Sequence, residues 1–492
     1  MSVAGNPTRI GNPYVGPRAF REGEELPARA RETRELANLL KAERIVLLHA
    51  PSGAGKTSLI QAALDKRLRR GRFSPSPALR VNLPPPSTMD VLNRYTFSVG
   101  LSLLDGRLSP DVLATLTLPR IVEIAKSTLG REFFVLVIDQ FEEILLIDPA
   151  DREQQNAFFK QLGEALEDGT VWALLSMRED YMGGLDGFLR YVPGQLSVRY
   201  RLDFLDRAAA KLAIREPAEV HGAPLDEDAA EELVARLATA TKQVPGGGEV
   251  EVPAPYVQPV QLQVVCKQLW RSVSRERRVE QRPFDRIDLA DVKRHADISI
   301  ALQSYYAGVV DHTAEETGAE VGAMRHWFEN ELITPQLYRS QTLRLPDSGE
   351  ADPAAVIKEL EDGYLIRGDT RGDSTWYEIA HDKLVRPILD DNDLYFRRYR
   401  EPWRLTAREW ERHEDDNLLL SGLPLRNAEK EAGRSHTSAA ERRFLDASHR
   451  VEQASAGVFV RTQRRVSRSE LIAYAELLVI VVLVVLLLQS LE

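Results

Sequence analysis

The chain is nearly free of cysteine: Cys266 is the one thiol among 492 residues. A lone thiol excludes an internal disulfide framework and fits a reducing compartment. It lies in the apolar run LQVVCKQLW and reads as a buried small residue, not a nucleophile. A basic excess is missing too. Lys and Arg number 64 against 74 Asp and Glu, for a formal net charge of -10. General nucleic-acid binders need a broad basic surface, so nucleic acid is an unlikely partner. There is no internal repeat. The first residues, MSVAGNPTRIGNPY, lack the charged-then-apolar order of a secretory signal, and none is expected. Long apolar runs are also scarce, with one exception. The chain ends on ELLVIVVLVVLLLQSLE, Glu476 to Glu492.

The length points to roughly three domains, because single cores stop growing well before this size. Apolar runs RIVLLHA, FFVLVID and VWALLS alternate with helical patterns such as DREQQNAFFKQLGEALEDG. Continuous apolar runs suit strands covered on both faces, so the alternation reads as a doubly wound α/β fold. The Pro-rich pieces RRGRFSPSP and NLPPPST bracket a short expected strand, Leu79 to Leu83. After about Asp206 the strands are expected to stop and helices to take over. KQVPGGGEVEVPAPY, Lys242 to Tyr256, reads as an exposed loop. Around GYLIRGDTRGDSTWYEIAHD the pattern is helix, strand, turn, strand, which reads as a winged helix. The charged helical stretch from Asp391 to about Ala456 takes its apolar contacts from Trp403, Trp410, Leu418 to Leu420 and Phe444. The expected boundaries are an N-terminal segment 1–28, an NTPase core 29–205, a helical lid 206–300, a winged helix 301–390, a helical extension 391–456, a basic segment 457–470 and an apolar helix 471–491.

The chemistry is most legible in APSGAGKTSLI. A buried strand, Ile45 to His49, runs into this loop and a helix follows. It is a P-loop with Ala50 in place of the usual first Gly. Backbone N–H groups must wrap phosphate oxygens here, so side chains must be small. Ser52, Gly53, Ala54, Gly55, Lys56, Thr57 and Ser58 are the candidate nucleotide residues. Lys56 would reach the β- and γ-phosphates, and Thr57 would offer its hydroxyl to Mg²⁺. Asp139 ends the strand FFVLVID and is the second candidate for Mg²⁺. Glu142 or Glu143 would orient or deprotonate the attacking water. Gln140 stands where many ATPases place that glutamate, which implies slow hydrolysis. At the end of the next strand, Arg178 is placed to read the γ-phosphate. ATP and ADP with Mg²⁺ are the expected cofactors, although the pattern does not separate ATP from GTP.

Taken together, NPYVGPRAF, RIVLLHAPSGAGKTSLIQAAL, VLVIDQFEEIL, LLSMREDYMG, PYVQPVQLQVVCKQLW and WYEIAHDKLVRPILDDN resemble the novel STAND NTPases, bacterial relatives of the NACHT and NB-ARC signalling ATPases. The resemblance runs from about Asn12 to Ser448. It implies an AAA+/STAND-like parallel-sheet P-loop core, a helical lid, a winged helix and helical extensions. It also implies a switch, closed and monomeric with ADP and oligomeric with ATP once a trigger acts. Three positions carry over. AHD at Ala380-His381-Asp382 implies that His381 contacts the β-phosphate of ADP. AIREPAEVHG places Pro217 against the adenine. ARARETRELANLL matches a Gly-Arg-Glu segment at Arg31 and Glu32, with Ala30 replacing the Gly. No protease-like, nuclease or TIR domain is expected before the NTPase, and no repeat array after the helical region.

Two features bear on partners. The candidate recognition helices, DPAAVIKELEDGYL and HDKLVRPILDDNDL, carry more acid than base. They fit an intramolecular, nucleotide-sensing role better than DNA binding. At the C-terminus, Leu471 to Leu491 approaches the ~20 residues that cross a bilayer. Arg461, Arg464, Arg465 and Arg468 flank it and would keep the NTPase in the cytoplasm. The expectation is therefore a single-pass, C-terminally anchored NTPase switch that self-associates with ATP. It would answer an unknown trigger, or serve a neighbouring effector, in bacterial antiviral defence or stress signalling. The clustered helices would be either the anchor or a membrane-disrupting output. The rival readings are a constitutive membrane-anchored ATPase that remodels or transports a partner, and a scaffold that barely hydrolyses its nucleotide.

Overall fold

The computed structural model describes residues 11–453, apart from 84, 87–88, 105, 130–132, 147–150, 245–247, 335–336, 350, 372–373, 400–401, 414, 433–436 and 438–439. Five strands form its central sheet: β1 Ile45–Ala50, β2 Phe73–Pro75, β3 Phe133–Ile138, β4 Val171–Arg178 and β5 Arg199–Arg201. All pair in parallel, in the order β2-β3-β4-β1-β5. Side chains of a strand alternate between faces. Accordingly Leu47, Leu136 and Leu175 join one core, with Phe97, Ile121 and Phe158. Their neighbours Val46, Val137 and Leu174 join the other, with Leu36, Leu59 and Leu68. Both faces are covered, so the strands read as continuous apolar runs.

The chain forms two compact units, Met1–Asp391 and Asn392–Glu492. Within the first, helices Arg207–Val220, Glu227–Leu237 and Pro259–Val279 pack around Leu233, Leu262 and Trp270. Tyr14 enters the same core, and its hydroxyl donates to the Ile214 carbonyl at 2.5 Å. A further core, around Tyr306, Phe328 and Leu360, joins helices Ile298–Thr317, Val321–Glu331 and Pro353–Asp362 to the antiparallel hairpin Ile366–Arg371/Ser374–Ile379. The helix and the two strands expected around GYLIRGDTRGDSTWYEIAHD are present. In the second unit, Trp403, Ala407, Ala428 and Phe444 make a small core, and Arg404 pairs with Glu441 at 2.8 Å.

Three local expectations are corrected. The outer strand is Phe73–Pro75, inside RRGRFSPSP, and Leu79 makes only a single parallel bridge to Ile138. An edge strand tolerates Pro75 because one side needs no ladder donor. KQVPGGGEVEVPAPY is not a bare loop: Thr239–Val244 and Gly248–Pro253 pair as an antiparallel hairpin. Strands also continue past Asp206, where Leu205–Asp206 pairs with Tyr256–Val257. The apolar stretch 471–491 lies outside the described residues. Among the described residues no helix is long and apolar enough to cross a membrane.

Helix Arg152–Glu167 packs so closely that a Cβ on Gly163 would collide with the Tyr191 carbonyl oxygen, a backbone atom that has little room to yield. Gly163→Ala is expected to destabilise the protein by about 1–3 kcal/mol, in the range for overpacking. A melting temperature equal to that of the unaltered protein would refute this close packing.

Candidate nucleotide-binding site

The loop leaves the C-terminal end of β1, next to the central strand β4, with Ala50 level with Arg178. In open α/β sheets this edge is where ligands bind. Gly53 and Gly55 adopt φ of 78° and 94°, a left-handed conformation costly for any residue with a Cβ. The helix that starts at Lys56 aims its first N–H groups into the loop. From one side Arg29, almost fully buried, donates to the Ala54 carbonyl at 3.1 Å, to the Asp203 carbonyl at 2.7 Å and to Glu32 at 3.1 Å. The backbone N–H of Phe20 donates to the Ser58 hydroxyl at 3.1 Å. From the other side, a Cβ on Gly53 would lie 3.2 Å from Cε1 of His381.

A cavity of about 480 Å³ surrounds this loop, within the ~300–1,000 Å³ of small-molecule sites. Ser52 to Ser58, Asp139, Glu142, Glu143, Arg178 and His381 all line it. So do Phe20, Leu26, Pro27, Leu205, Ala213, Pro259 and Leu262, which supply an apolar wall.

Two expected residues do not line the cavity. Arg31 is 67% exposed and pairs with Glu32 and Glu35 at 3.4 and 3.9 Å. Helix Ala30–Glu43 begins between the two arginines. Two positions along a helix turn a side chain about 200°, so Arg29 faces the loop and Arg31 faces water. Pro217 lies inside helix Arg207–Val220, one turn beyond Ala213, which does reach the cavity. The proline in the wall is Pro259, in the first turn of helix Pro259–Val279, where a missing N–H costs nothing. Its motif, PYVQPVQLQ, is visible in the sequence. Arg29 carries no signal beyond its place just ahead of a helix.

At the ends of β3 and β4 the carboxylates converge on Lys56. The Thr57 hydroxyl donates to Asp139 at 2.6 Å. Glu142 is buried and accepts the Arg178 backbone N–H at 3.2 Å. Burial raises its proton affinity, opposed mainly by Lys56. Glu143 is held by Arg80, whose Nε lies at 3.3 Å. Burial pushes its carboxyl up to about 7, with Arg80 opposing. Burial lowers the Lys56 ammonium, with Glu142 and then Asp139 opposing. Arg178 pairs with Asp180 at 2.8 Å and lies over Tyr181, 5.1 Å from the ring centre. Among the described residues no group of three His, Cys, Asp or Glu side chains is placed to hold a metal ion. A hard cation here would therefore complete its shell with water and phosphate oxygens.

A parallel sheet with a P-loop leaving β1, and an acid ending β3 beyond one intervening strand, defines a P-loop NTPase. Residues 13–417 match the family described as Novel STAND NTPase 1, and the chain belongs to that family. No curated protein matches the chain. Among solved structures, it is similar to the ORC2 protein of Aeropyrum pernix in its ADPNP–ADP complexes. That match is 14% identical with a TM-score of 0.40, covering 79% of this chain and 98% of that one. The ADP form of ORC2 is 12% identical, with a TM-score of 0.39 over 76% and 96%. The FIGL-1 AAA domain is 13% identical, with a TM-score of 0.33 over 55% and 80%.

The raised Glu143 carboxyl makes stability depend on pH. The folded protein holds this proton more tightly than the unfolded chain, whose carboxyl titrates near 4.5. Stability is therefore lost as pH rises above the unfolded value, and the loss is complete once pH passes about 7. Glu143→Gln should be more stable than the unaltered protein at pH 8 by about 1–3 kcal/mol, with the gap shrinking toward pH 5. Melting curves across that range test it; a gap independent of pH contradicts the burial of this charge.

Proposed function

We propose that the chain is a nucleotide-dependent signalling switch, an ATPase held closed by ADP and driven to self-associate by ATP once a trigger acts. The observation that carries it is the approach of His381 to Gly53, so close that a Cβ added at Gly53 would lie 3.2 Å from the imidazole. The segment Pro353–Ile379 would be a winged helix, and His381, just after its hairpin, lines the same cavity as the phosphate loop. A ligand wedged between two elements biases their relative position by its differential affinity for the two arrangements. His381 would meet the terminal phosphate of ADP. The apolar wall of Phe20, Pro259 and Leu262 would take the base. Thr57 and Asp139, side by side at 2.6 Å, fit a Mg²⁺ site completed by phosphate and water; the ion would screen phosphate charge. Glu143, with a carboxyl near 7, would accept a proton from water. In the closed form Arg80 restrains it, which fits slow turnover. The stretch 471–491 would tether the switch to a membrane with the NTPase in the cytoplasm, in a defence or stress response.

Purified full-length protein is expected to retain ADP, to run as a monomer, and to assemble when ATP and the trigger are both supplied. Mass spectrometry of the released nucleotide and light scattering read this out. An empty site with rapid steady turnover supports the constitutive ATPase instead. Deleting residues 471–491 should move the protein from the membrane pellet to the supernatant; equal partition of the two forms excludes the tether.

A further inference from the structure

The hairpin brings a second group to the loop. Arg367, on strand Ile366–Arg371, reaches Ser52 across 315 positions of sequence, with Nη1 donating to the serine hydroxyl at 3.3 Å. The opposite edge of the same guanidinium, Nε and Nη2, faces the carboxylate of Glu378. Glu378 lies directly across the hairpin in register with Arg367. It also accepts from Gln341 at 3.2 Å and faces Arg339 at 3.9 Å. One edge of the fork is thus fixed and the other is offered to the phosphate loop. Arg178 acts electrostatically on Arg367, and Lys56 and Arg367 line the same cavity. Lys56, Arg178 and Arg367 together favour a multiply charged anion. A planar fork suits phosphate oxygens better than a hydroxyl.

We infer that Arg367 is a phosphate-contacting residue of the nucleotide site, with Nη1 donating to a phosphate beyond the first one of a nucleoside di- or triphosphate, and that Glu378 is its positioning residue. The inference rests on the nucleotide reading of the cavity. It adds a cation on the hairpin Ile366–Arg371/Ser374–Ile379 that senses whether a second phosphate is present. A nucleoside monophosphate would leave this position unfilled.

The test is binding of AMP, ADP and ATP to the full chain, measured by competition against a fluorescent ADP analogue. Arg367→Met should weaken ADP and ATP by about 10- to 100-fold, the range for a charge-assisted hydrogen bond, and leave AMP unchanged. Glu378→Gln should weaken ADP less than Arg367→Met does, because the donor is loosened and not removed. If the pair were only structural, both variants would shift all three ligands alike, in step with their melting temperatures, and the assignment would fail. Should Arg367→Met not fold, Arg367→Lys decides: it keeps the charge but loses the fork, so ADP should weaken several-fold while AMP holds. ADP binding by either folded variant equal to that of the unaltered protein overturns the assignment alone. Absence of ADP and ATP binding by the unaltered protein overturns the nucleotide reading and the assignment together.

Discussion

A loop that binds polyphosphate directs a run of backbone N–H groups at its ligand, so the protein must hold that loop by other means. The helix starting at Lys56 contributes such donors at its N-terminus. The compensating contacts are on carbonyls and side chains. Arg29 grips the Ala54 carbonyl, Phe20 is tied to Ser58, and Arg367 meets the Ser52 hydroxyl. Beneath them, β1 lies between β4 and β5, so the strand that feeds the loop is paired on both edges. Segments distant in sequence therefore close around six or so residues because those residues cannot close on themselves.

The same site concentrates charge where water is scarce. Glu142 and Glu143 gain proton affinity from burial, and Lys56 loses it from the same cause. Opposite charges soften the effect but do not remove it. Groups displaced from their ordinary titration ranges by burial and specific neighbours, in one cavity, mark a functional site. A polyphosphate would reward Lys56 and penalise the carboxylates, so a divalent cation beside Asp139 would balance the arrangement.

Much of this was legible in the chain. The three buried strands could be read because both faces of the sheet are covered, leaving uninterrupted Val, Ile and Leu. The loop could be read because Gly53 and Gly55 need left-handed backbone and the strand–loop–helix context surrounds them. The failures have local causes. Phe73–Pro75 is too short and Pro-rich to look like a strand, and its edge position is a tertiary fact. In Thr239–Pro253 the letters PGGG read as a loop and hide the pairing of Thr239–Val244 with Gly248–Pro253, a tertiary fact of the backbone. Arg29 and Arg31 differ by a helical rotation that hinges on where Ala30 begins its helix. Pro217 and Pro259 are equally plausible as letters; only the packing of Pro259–Val279 against the loop separates them. The pairing of Arg367 with Glu378 depends on hairpin register, which no short motif encodes.

Gly53 is where the proposed switch would couple the loop to the segment that follows the hairpin. Its φ of 78° strains any residue with a Cβ, and a Cβ there would also crowd His381 at 3.2 Å. In the proposed switch, whatever free energy the hairpin contributes to nucleotide affinity, the nucleotide must return to the position of the hairpin. Couplings of this kind are typically ~1–3 kcal/mol. Carrying a two-state equilibrium from one side fully to the other takes about 5.5 kcal/mol. In the proposed switch, nucleotide exchange alone would therefore fall short, and a second input would be required to complete the transition. Self-association would be one such input, and confinement to a surface would strengthen it by raising effective concentration without any new contact. A tether, a trigger and a nucleotide site would then be three partial contributions to one threshold, none of them sufficient by itself.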